Sequence, residues 1–410
     1  MIRQPTMILG TVLDGDLDAM FVPGPRGRLG RRHWFGLTWD QLTQHVILIG
    51  ATGTGKTVTL LRLAQAAMHL PGGNPGEPPP RVLYLDAKGL PDRSRDIFLS
   101  IATASGATRV ASWPEDPING FVGSAEDLRE RISGLWDPQE SPFHHAEAVS
   151  LLDLVVHTPP APTTLDELIR RTRPGMTAAI NDSIGTPDAI DRKAEALGYT
   201  STQWNSLHLR LKALHATVGS QLDAPAPTLL DVDAAWASIP GTRAPQAAAD
   251  ITTWLLHLVA DLATCGEPRP TLVILDEFSA IGTDGRASAA AAGLIERTRS
   301  AGVAIVLSSQ TTDALGRHRD RLLRTAGSLI THRTPAPEEI AALAGTETVW
   351  EDTHQVDSLG VRRQTSGRRQ EAFRVAPNLI RHLPVGSAVA ISQGRWTLVA
   401  VARTAGSSPQ

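Results

Sequence analysis

A short apolar run followed at once by a glycine-rich loop constrains the fold of this chain more than any other segment. Residues 45–49 read His-Val-Ile-Leu-Ile, and residues 50–57 read Gly-Ala-Thr-Gly-Thr-Gly-Lys-Thr. Glycines at this spacing let the backbone turn tightly and aim its N–H groups inward, and the helix that follows adds the positive end of its dipole. The pattern predicts a buried strand, a triphosphate-binding loop and a helix over 58–69, with Lys56 on the β- and γ-phosphates and Thr57 on Mg²⁺.

Residues 50–57, the phosphate loop, have one alternative interpretation, a chance glycine-rich turn. The strand before the loop and the helix after it argue against chance, since the motif requires both. We therefore expect the loop to bind ATP with Mg²⁺. The predicted nucleotide ligands in the loop are Gly50, Ala51, Thr52, Gly53, Thr54, Gly55, Lys56 and Thr57.

Composition narrows the protein class. The 410 residues fit two or three domains, and the 41% hydrophobic content is typical of a globular protein. No apolar run approaches the roughly 20 residues needed to span a bilayer, and the first residues do not form a signal peptide. The only cysteine, Cys265, excludes an internal disulfide, and we predict a cytoplasmic protein. The net charge of −3 gives no overall sign of nucleic-acid binding, so only clustered arginines carry weight.

Apolar strands alternate with helical segments along much of the chain. Strands that are apolar on both faces are typical of a mostly parallel sheet covered by helices on both sides, so we predict an α/β fold. The phosphate loop should then lie at the carboxyl end of its strand. Further strands are predicted at 81–86, 271–275, 303–307, 328–331, 388–391 and 396–402.

The hydrophobic pattern of the sequence changes twice along the chain, which indicates a division into domains. Residues 1–40 contain short apolar pieces between glycines and aspartates and predict a β-rich N-terminal segment. From about 119 to 235 the periodicity is helical and broken by prolines. We predict that 41–118 and 241–410 form the nucleotide-binding domain, and that 119–240 is an inserted all-alpha domain.

The strand at 271–275 runs into two adjacent carboxylates, Asp276 and Glu277. In a protein with a phosphate loop, this is where a second metal contact and a water-activating base are needed. Asp276 would hold Mg²⁺ and help to bind the nucleotide, while Glu277 would orient and deprotonate the attacking water. The alternative is a simple turn after a core strand. Beside the phosphate loop, the pair predicts ATP hydrolysis rather than binding alone.

Three further positions are candidates for the site. Gln310 ends the strand at 303–307, expected beside the strand that follows the phosphate loop, and its amide can bond both water and the γ-phosphate. Arg299 lies near a helix end, where it is either a dipole partner or a finger that reaches a neighbouring subunit's nucleotide. Asp86 and Lys88 end the strand at 81–86, either near the phosphates or in a salt-bridged turn.

Taken together, these motifs resemble the FtsK–HerA superfamily of DNA-pumping ATPases, and most of all the coupling proteins of type IV secretion and conjugation. Further support comes from Pro117–Gly120, Ser141–Ala146 and Val375–Ile391, and the resemblance covers about residues 34–403. The motifs that carry it are Gly50–Thr57, Asp86-x-Lys88-Gly89, Leu275-Asp276-Glu277, Arg299-x-x-Gly302 and Ser309-Gln310.

The resemblance implies a RecA-like P-loop NTPase core and a ring, usually a hexamer, with ATP between subunits and DNA in the channel. One subunit would supply Lys56, Thr57, Asp276, Glu277 and Gln310, and its neighbour Arg299. A relaxase or other substrate would dock on the helical insert. Membrane-bound coupling proteins carry N-terminal transmembrane helices that this sequence does not show. Either the protein is a soluble variant whose partner is a separate membrane anchor, or the sequence is trimmed. Two alternatives stay open: a HerA-like translocase in repair or phage defence, and a nucleotide-controlled recruiting module that does not pump.

Two arginine clusters are candidates for sequence-independent DNA contact, although charge runs are more often solvated surface. The histidines show no metal-ligand spacing, so no structural metal is predicted. The first cluster contains Arg317, His318, Arg319, Arg321 and Arg324, and the second contains Arg362, Arg363, Arg368 and Arg369.

Overall fold

The protein is described by a computed structural model over residues 6–15, 21–27, 30–71, 77–89, 93–137, 141–223, 226–229, 231–264, 269–282, 284–298, 301–356 and 362–404. Its strands are β1 (Thr6–Gly15), β2 (Phe21–Gly27), β3 (Gly30–Thr38), β4 (Val46–Ile49), β5 (Arg81–Asp86), β6 (Val110–Trp113), β7 (Ala234–Ser238), β8 (Thr271–Asp276), β9 (Val303–Ser309), β10 (Ser328–Thr331), β11 (Thr346–Val356), β12 (Arg362–Phe373), β13 (Ser387–Ser392) and β14 (Arg395–Val401). Its helices are α1 (Trp39–Leu42), α2 (Lys56–Met68), α3 (Arg93–Ala104), α4 (Ala125–Ser133), α5 (Pro142–Val156), α6 (Leu165–Arg171), α7 (Met176–Ile184), α8 (Pro187–Gly198), α9 (Ser201–Val218), α10 (Pro245–Thr264), α11 (Gly285–Arg297), α12 (Arg319–Thr325), α13 (Glu338–Leu343) and α14 (Pro377–Arg381).

Within these ranges, one sheet contains twelve strands in the order β2-β3-β1-β14-β13-β10-β4-β9-β8-β5-β7-β6. The seven strands from β10 to β6 are parallel. The other five extend the sheet as antiparallel neighbours. The prediction of an α/β fold with a mostly parallel sheet is confirmed, and the residues predicted as a β-rich N-terminal segment contribute β1, β2 and β3 to the same sheet.

Alternate residues of the central strands enter two different apolar clusters. In β4, Ile47 and Ile49 belong to one cluster, whereas Val46 and Leu48 belong to the other. Leu60 of α2 packs on the second face. Helices α10 and α11 cover the first face. A parallel sheet buried on both sides explains why these strands read as continuous apolar runs.

Helices α4 to α9 lie between β6 and β7 in the chain. Four of them begin at a hydroxyl side chain that accepts a hydrogen bond from the backbone N–H three residues later, which satisfies a donor that the helix leaves free. The capping residues are Ser124, Thr164, Thr186 and Thr200. Helix α10 packs against both α4 and α9, so this helical group rests on the sheet's covering layer.

The range 119–240 is not entirely helical as predicted, because Ala234–Ser238 form β7, a buried strand between β5 and β6. The sequence Ala-Ala-Trp-Ala-Ser has little intrinsic strand preference, and pairing with both neighbours overrides it. The domain boundaries themselves stay a prediction.

Strands β11 and β12 form a separate antiparallel pair, which we call the ribbon. It follows α13 and precedes α14. In the part of the chain that the structure describes, no helix combines the length and apolar character required to cross a membrane.

Candidate nucleotide-binding site

The phosphate loop connects β4 to α2, and its shape depends on glycine. Gly53 has φ 74° and Gly55 has φ 111°, left-handed values that other residues rarely adopt. At Gly50 the limit is space, because a Cβ there would lie 2.7 Å from Cβ of His332. The loop therefore has the tight turn that the glycine spacing predicts.

Lys56 begins α2, and its ammonium group lies against the loop, where Nζ donates a hydrogen bond to Gly50 O (2.7 Å). The residue is only 5% exposed. Burial lowers the pKa of Lys56, whereas the charges of Glu277 and Asp276 raise it. A buried cation held at a helix N-terminus is suited to an anionic ligand.

Asp276 ends β8 and meets the phosphate loop from across the sheet. Thr57 Oγ1 donates to Asp276 Oδ2 (3.3 Å), and the backbone N–H of Glu277 donates to Oδ1 (2.8 Å). Burial raises the pKa of Asp276, and a hydrogen bond from Tyr84 opposes that rise. A hydroxyl and a carboxylate are hard oxygen donors of the kind that bind Mg²⁺ beside substrate phosphates. Thr57 and Asp276 therefore fit the predicted Mg²⁺ site.

Glu277 and Gln310 lie together at the same edge of the sheet. Gln310 Nε2 donates to Glu277 Oε2 (3.1 Å). Glu277 has φ 51° and ψ 42°, a left-handed conformation that costs a non-glycine residue roughly 1 kcal/mol or more. Such strain at a carboxylate beside a phosphate loop is typical of a functional position.

The prediction that the Gln310 strand lies beside the strand that follows the phosphate loop was wrong. Gln310 follows β9, which lies between β4 and β8. Strand β5, which follows the phosphate loop in the chain, is separated from β9 by β8 because the sheet order does not follow the chain order. Gln310 therefore follows the strand that pairs with β4, the strand leading into the phosphate loop.

Asp86 and Lys88 form a hydrogen-bonded turn at the end of β5. Asp86 pairs with Asp276 across β5 and β8, and its Oδ1 accepts a hydrogen bond from the backbone N–H of Lys88 (3.0 Å). The charge of Lys88 acts to lower the pKa of Lys56. These residues thus form a local turn that places a second lysine within electrostatic range of the phosphate loop.

His332 is part of the site and was missed by sequence reasoning, since a lone histidine after a strand carries no pattern. Its Nδ1 lies 2.8 Å from Ser387 O, and because a carbonyl can only accept, Nδ1 carries the proton. Nε2 then accepts from Thr59 Oγ1 (2.9 Å). Burial lowers the pKa of His332 to about 4. The neutral ring thereby joins α2 to the start of β13.

The two chain segments that flank the ribbon both contact the phosphate loop. Before the ribbon, Arg333 O accepts a hydrogen bond from the N–H of Ala51 (2.9 Å). After the ribbon, the N–H of Gly386 donates to Thr54 O (3.1 Å). The ribbon is thus connected to the sheet through two segments that touch the loop.

Several predicted residues remain outside this geometry. Arg299 lies outside the described residues, so its role stays a prediction. In the first arginine cluster, Arg319 pairs with Glu339 (3.3 Å) and Arg321 pairs with Glu296. In the second, Arg368 pairs with Glu351 (3.5 Å). Carboxylates of the same chain thus partly neutralise both clusters, and DNA contact stays a prediction.

Solved structures of TrwB and VirB4 are similar to this chain over nearly its full length. The unbound bacterial conjugative coupling protein TrwBdeltaN70 is 16% identical, with a TM-score of 0.62 and coverage of 98% of this chain and 96% of that chain. TrwB in complex with ADP and Mg²⁺ is also 16% identical, with a TM-score of 0.60 and coverage of 98% of this chain and 97% of that chain. The chain shares its fold with TrwB. VirB4 of Thermoanaerobacter pseudethanolicus is 14% identical, with a TM-score of 0.56, and 95% and 98% of the two chains are covered.

This likeness confirms the predicted resemblance at the level of the fold, including the RecA-like P-loop architecture. No protein-family model matches the sequence, and no curated protein matches it. At 14–16% identity, structural likeness establishes the architecture, and function must be argued from the site.

Proposed function

We propose that this chain is a Mg²⁺-dependent ATPase that moves DNA as a coupling protein of a type IV secretion or conjugation machine. The observation that carries the ATPase part is the contact between Thr57 and Asp276 (3.3 Å), 219 residues apart. Two hard oxygen ligands meet there beside Lys56. The link to conjugation rests on the fold shared with TrwB and VirB4.

In the proposed reaction, the phosphate loop and Lys56 bind the β- and γ-phosphates. Thr57 and Asp276 hold Mg²⁺, which neutralises phosphate charge when bound. Gln310 would orient a water whose oxygen bonds to the γ-phosphorus as the bond to the β–γ bridging oxygen breaks and ADP leaves, and Glu277 would accept the proton of that water. The hydrogen bond between Gln310 and Glu277 supports this assignment because it places both side chains at one point.

The assembly belongs to the proposal as well. We propose a homo-oligomeric ring, hexameric as in the family that the sequence resembles, with DNA in its channel and Arg299 acting on the neighbour's nucleotide. Helices α4 to α9 would receive a relaxase or other substrate. A membrane-anchoring protein is a further proposed partner.

ATPase assays with and without DNA test the proposal, combined with measurement of mass in solution with ATP and DNA present. We expect hydrolysis that DNA stimulates and a ring-sized species. Lys56→Ala should abolish both nucleotide binding and hydrolysis, whereas Lys193→Ala, at a surface pair with Asp182 (2.5 Å), should change neither.

A rate of hydrolysis that DNA does not change, in a protein that stays monomeric at all concentrations, would contradict DNA translocation. It would favour a nucleotide-controlled recruiting module. DNA stimulation that needs a nuclease partner would favour a HerA-like translocase. Absence of any Mg²⁺-dependent nucleotide binding would reject the ATPase itself.

A further inference from the structure

A buried tyrosine contacts the carboxylate that the proposed function assigns to Mg²⁺. Tyr84 lies on β5, next to β8, and its hydroxyl donates a hydrogen bond to Asp276 Oδ2 (2.8 Å). Tyr84 is 0% exposed and Asp276 is 4% exposed. Water therefore competes little for this bond.

Aromatic neighbours hold the tyrosine ring in place. The ring of Trp236 stacks on it, with centroids 4.2 Å apart and an angle of 14° between planes. Phe98 meets it edge-on, with centroids 5.6 Å apart. Contacts from two sides fix the ring, so its hydroxyl has a set position. These packing contacts need only the ring, and a phenylalanine would keep them.

The hydroxyl has a distinct partner at Asp276. Oδ2 of this carboxylate accepts hydrogen bonds from both Tyr84 and Thr57. Thr57 is expected to turn its oxygen toward Mg²⁺, so its hydrogen bond cannot hold Asp276 in place when the metal is bound. The bond from Thr57 (3.3 Å) is also longer than the bond from Tyr84 (2.8 Å). A buried carboxylate needs fixed donors to remain oriented. Tyr84 supplies one that does not belong to the phosphate loop.

We propose that Tyr84 is a positioning residue for Asp276, holding the carboxylate toward Thr57 so that the two bind Mg²⁺ together with nucleotide. This inference rests on the proposed function, because it requires the Mg²⁺ site at Asp276. It adds a residue to that site that the phosphate-binding motifs do not contain.

Tyr84→Phe removes only the hydroxyl and provides the test. The chain has two tyrosines, so Tyr199→Phe, with the ring edge-on to Trp204 in the helical part, is the matched control. Binding of a fluorescent non-hydrolysable ATP analogue is titrated with Mg²⁺. We expect Tyr84→Phe to raise the half-saturating Mg²⁺ concentration roughly tenfold and to leave Mg²⁺-free analogue binding unchanged. Tyr199→Phe should match the unaltered protein in both.

A further variant separates the two hypotheses. Asp276→Asn should abolish the Mg²⁺ dependence if the proposed site is correct. If Asp276→Asn has this effect and Tyr84→Phe has none, the positioning role is rejected while the ATPase stands. If neither variant changes the Mg²⁺ dependence, the Mg²⁺ site at Asp276 is rejected as well.

A second measurement keeps the test valid if Tyr84→Phe does not fold. In the Tyr199→Phe protein, 3-fluorotyrosine labels position 84 alone. We expect its ¹⁹F resonance to shift when Mg²⁺ is added to protein saturated with the analogue, because the partner carboxylate gains a cation. An unmoved resonance would overturn the proposal.

Discussion

Glu277 combines a left-handed backbone with a hydrogen bond to Gln310, and both features direct its carboxylate to one place. The strained backbone of Glu277 is held because its N–H donates a hydrogen bond to Asp276 Oδ1 (2.8 Å). A carboxylate fixed in this way can act as a base without first reorganising.

Replacing Glu277 by Gln should remove the base and keep the shape. We expect nucleotide affinity to stay within about twofold, while single-turnover hydrolysis falls by roughly 10² or more, the usual contribution of a general base. Quench-flow measurements and analogue titration check the two quantities. Glu296→Gln, at the surface pair with Arg321, is the control, and equal losses in both variants would argue against a catalytic role for Glu277.

At the residue scale, the motifs predicted four side chains that the fold brings into contact in pairs, because parallel strands bring their carboxyl ends to one edge. Thr57, Asp276, Glu277 and Gln310 came together as the spacing implied. His332 could not be predicted, since its partners come from α2 and from the start of β13, distant segments that only the fold brings together.

At the element scale, the segments that follow β8 and β9 cross without side chains between them. A Cβ on Gly316, whose φ is 82°, would lie 1.7 Å from Gly282 O. A Cβ on Gly282 would lie 2.5 Å from Ala314 O. These segments begin at Glu277 and Gln310, so the crossing lies in the chain directly after the two side chains.

Gly316→Ala should force this crossing apart. We expect a loss of several kcal/mol in the free energy of unfolding, because a backbone atom stands where the methyl group would lie and the left-handed φ adds strain. At Gly285 an added Cβ would meet only the flexible side chain of Arg317, at 3.7 Å. Gly285→Ala should therefore cost nothing or stabilise by up to about 1 kcal/mol, since Gly285 begins α11. Urea unfolding of both variants measures the difference, and similar values would show that the crossing tolerates expansion.

Element prediction succeeded where strands were strongly apolar and failed where pairing decided the structure. Strands β4, β5, β8, β9 and β10, which carry the site or lie beside it, were all visible as apolar runs. Strand β7 was hidden by its alanines, and the ribbon by its mostly polar sequence, which lacks the alternation of polar and apolar residues typical of a strand. In both cases neighbouring backbone, rather than local preference, makes the strand.

At the scale of the whole molecule, the buried neutral histidine links stability to pH. The pKa of His332 is about 4, because burial disfavours the imidazolium and Lys56 lies near. In the unfolded chain it returns to about 6.5. Between these values the unfolded state binds more protons, so the free energy of unfolding falls as pH falls from about 6.5 to about 4.

His332→Asn should make this pH dependence shallower. The full effect of one such histidine is about 3 kcal/mol below pH 4, because its pKa is about 6.5 in the unfolded chain and about 4 in the native protein. His257, whose pKa burial also lowers to about 4, remains as an internal reference, so we expect the slope to decrease by about half rather than vanish. Denaturant unfolding between pH 4 and 7 measures it, and an unchanged slope would show that His332 is protonated in the native state.

The two segments that join the ribbon to the sheet are hydrogen-bonded to the phosphate loop. The backbone amides of Ala51 and Gly386 are engaged at the loop, so their hydrogen exchange reports whether those bonds open. We expect a Mg²⁺-bound ATP analogue to slow exchange in peptides covering 50–57 and 384–387, but to leave the amides of β6 unchanged. Hydrogen exchange in the segments next to the ribbon can thus report a ligand at the phosphate loop, even if that ligand does not contact the ribbon.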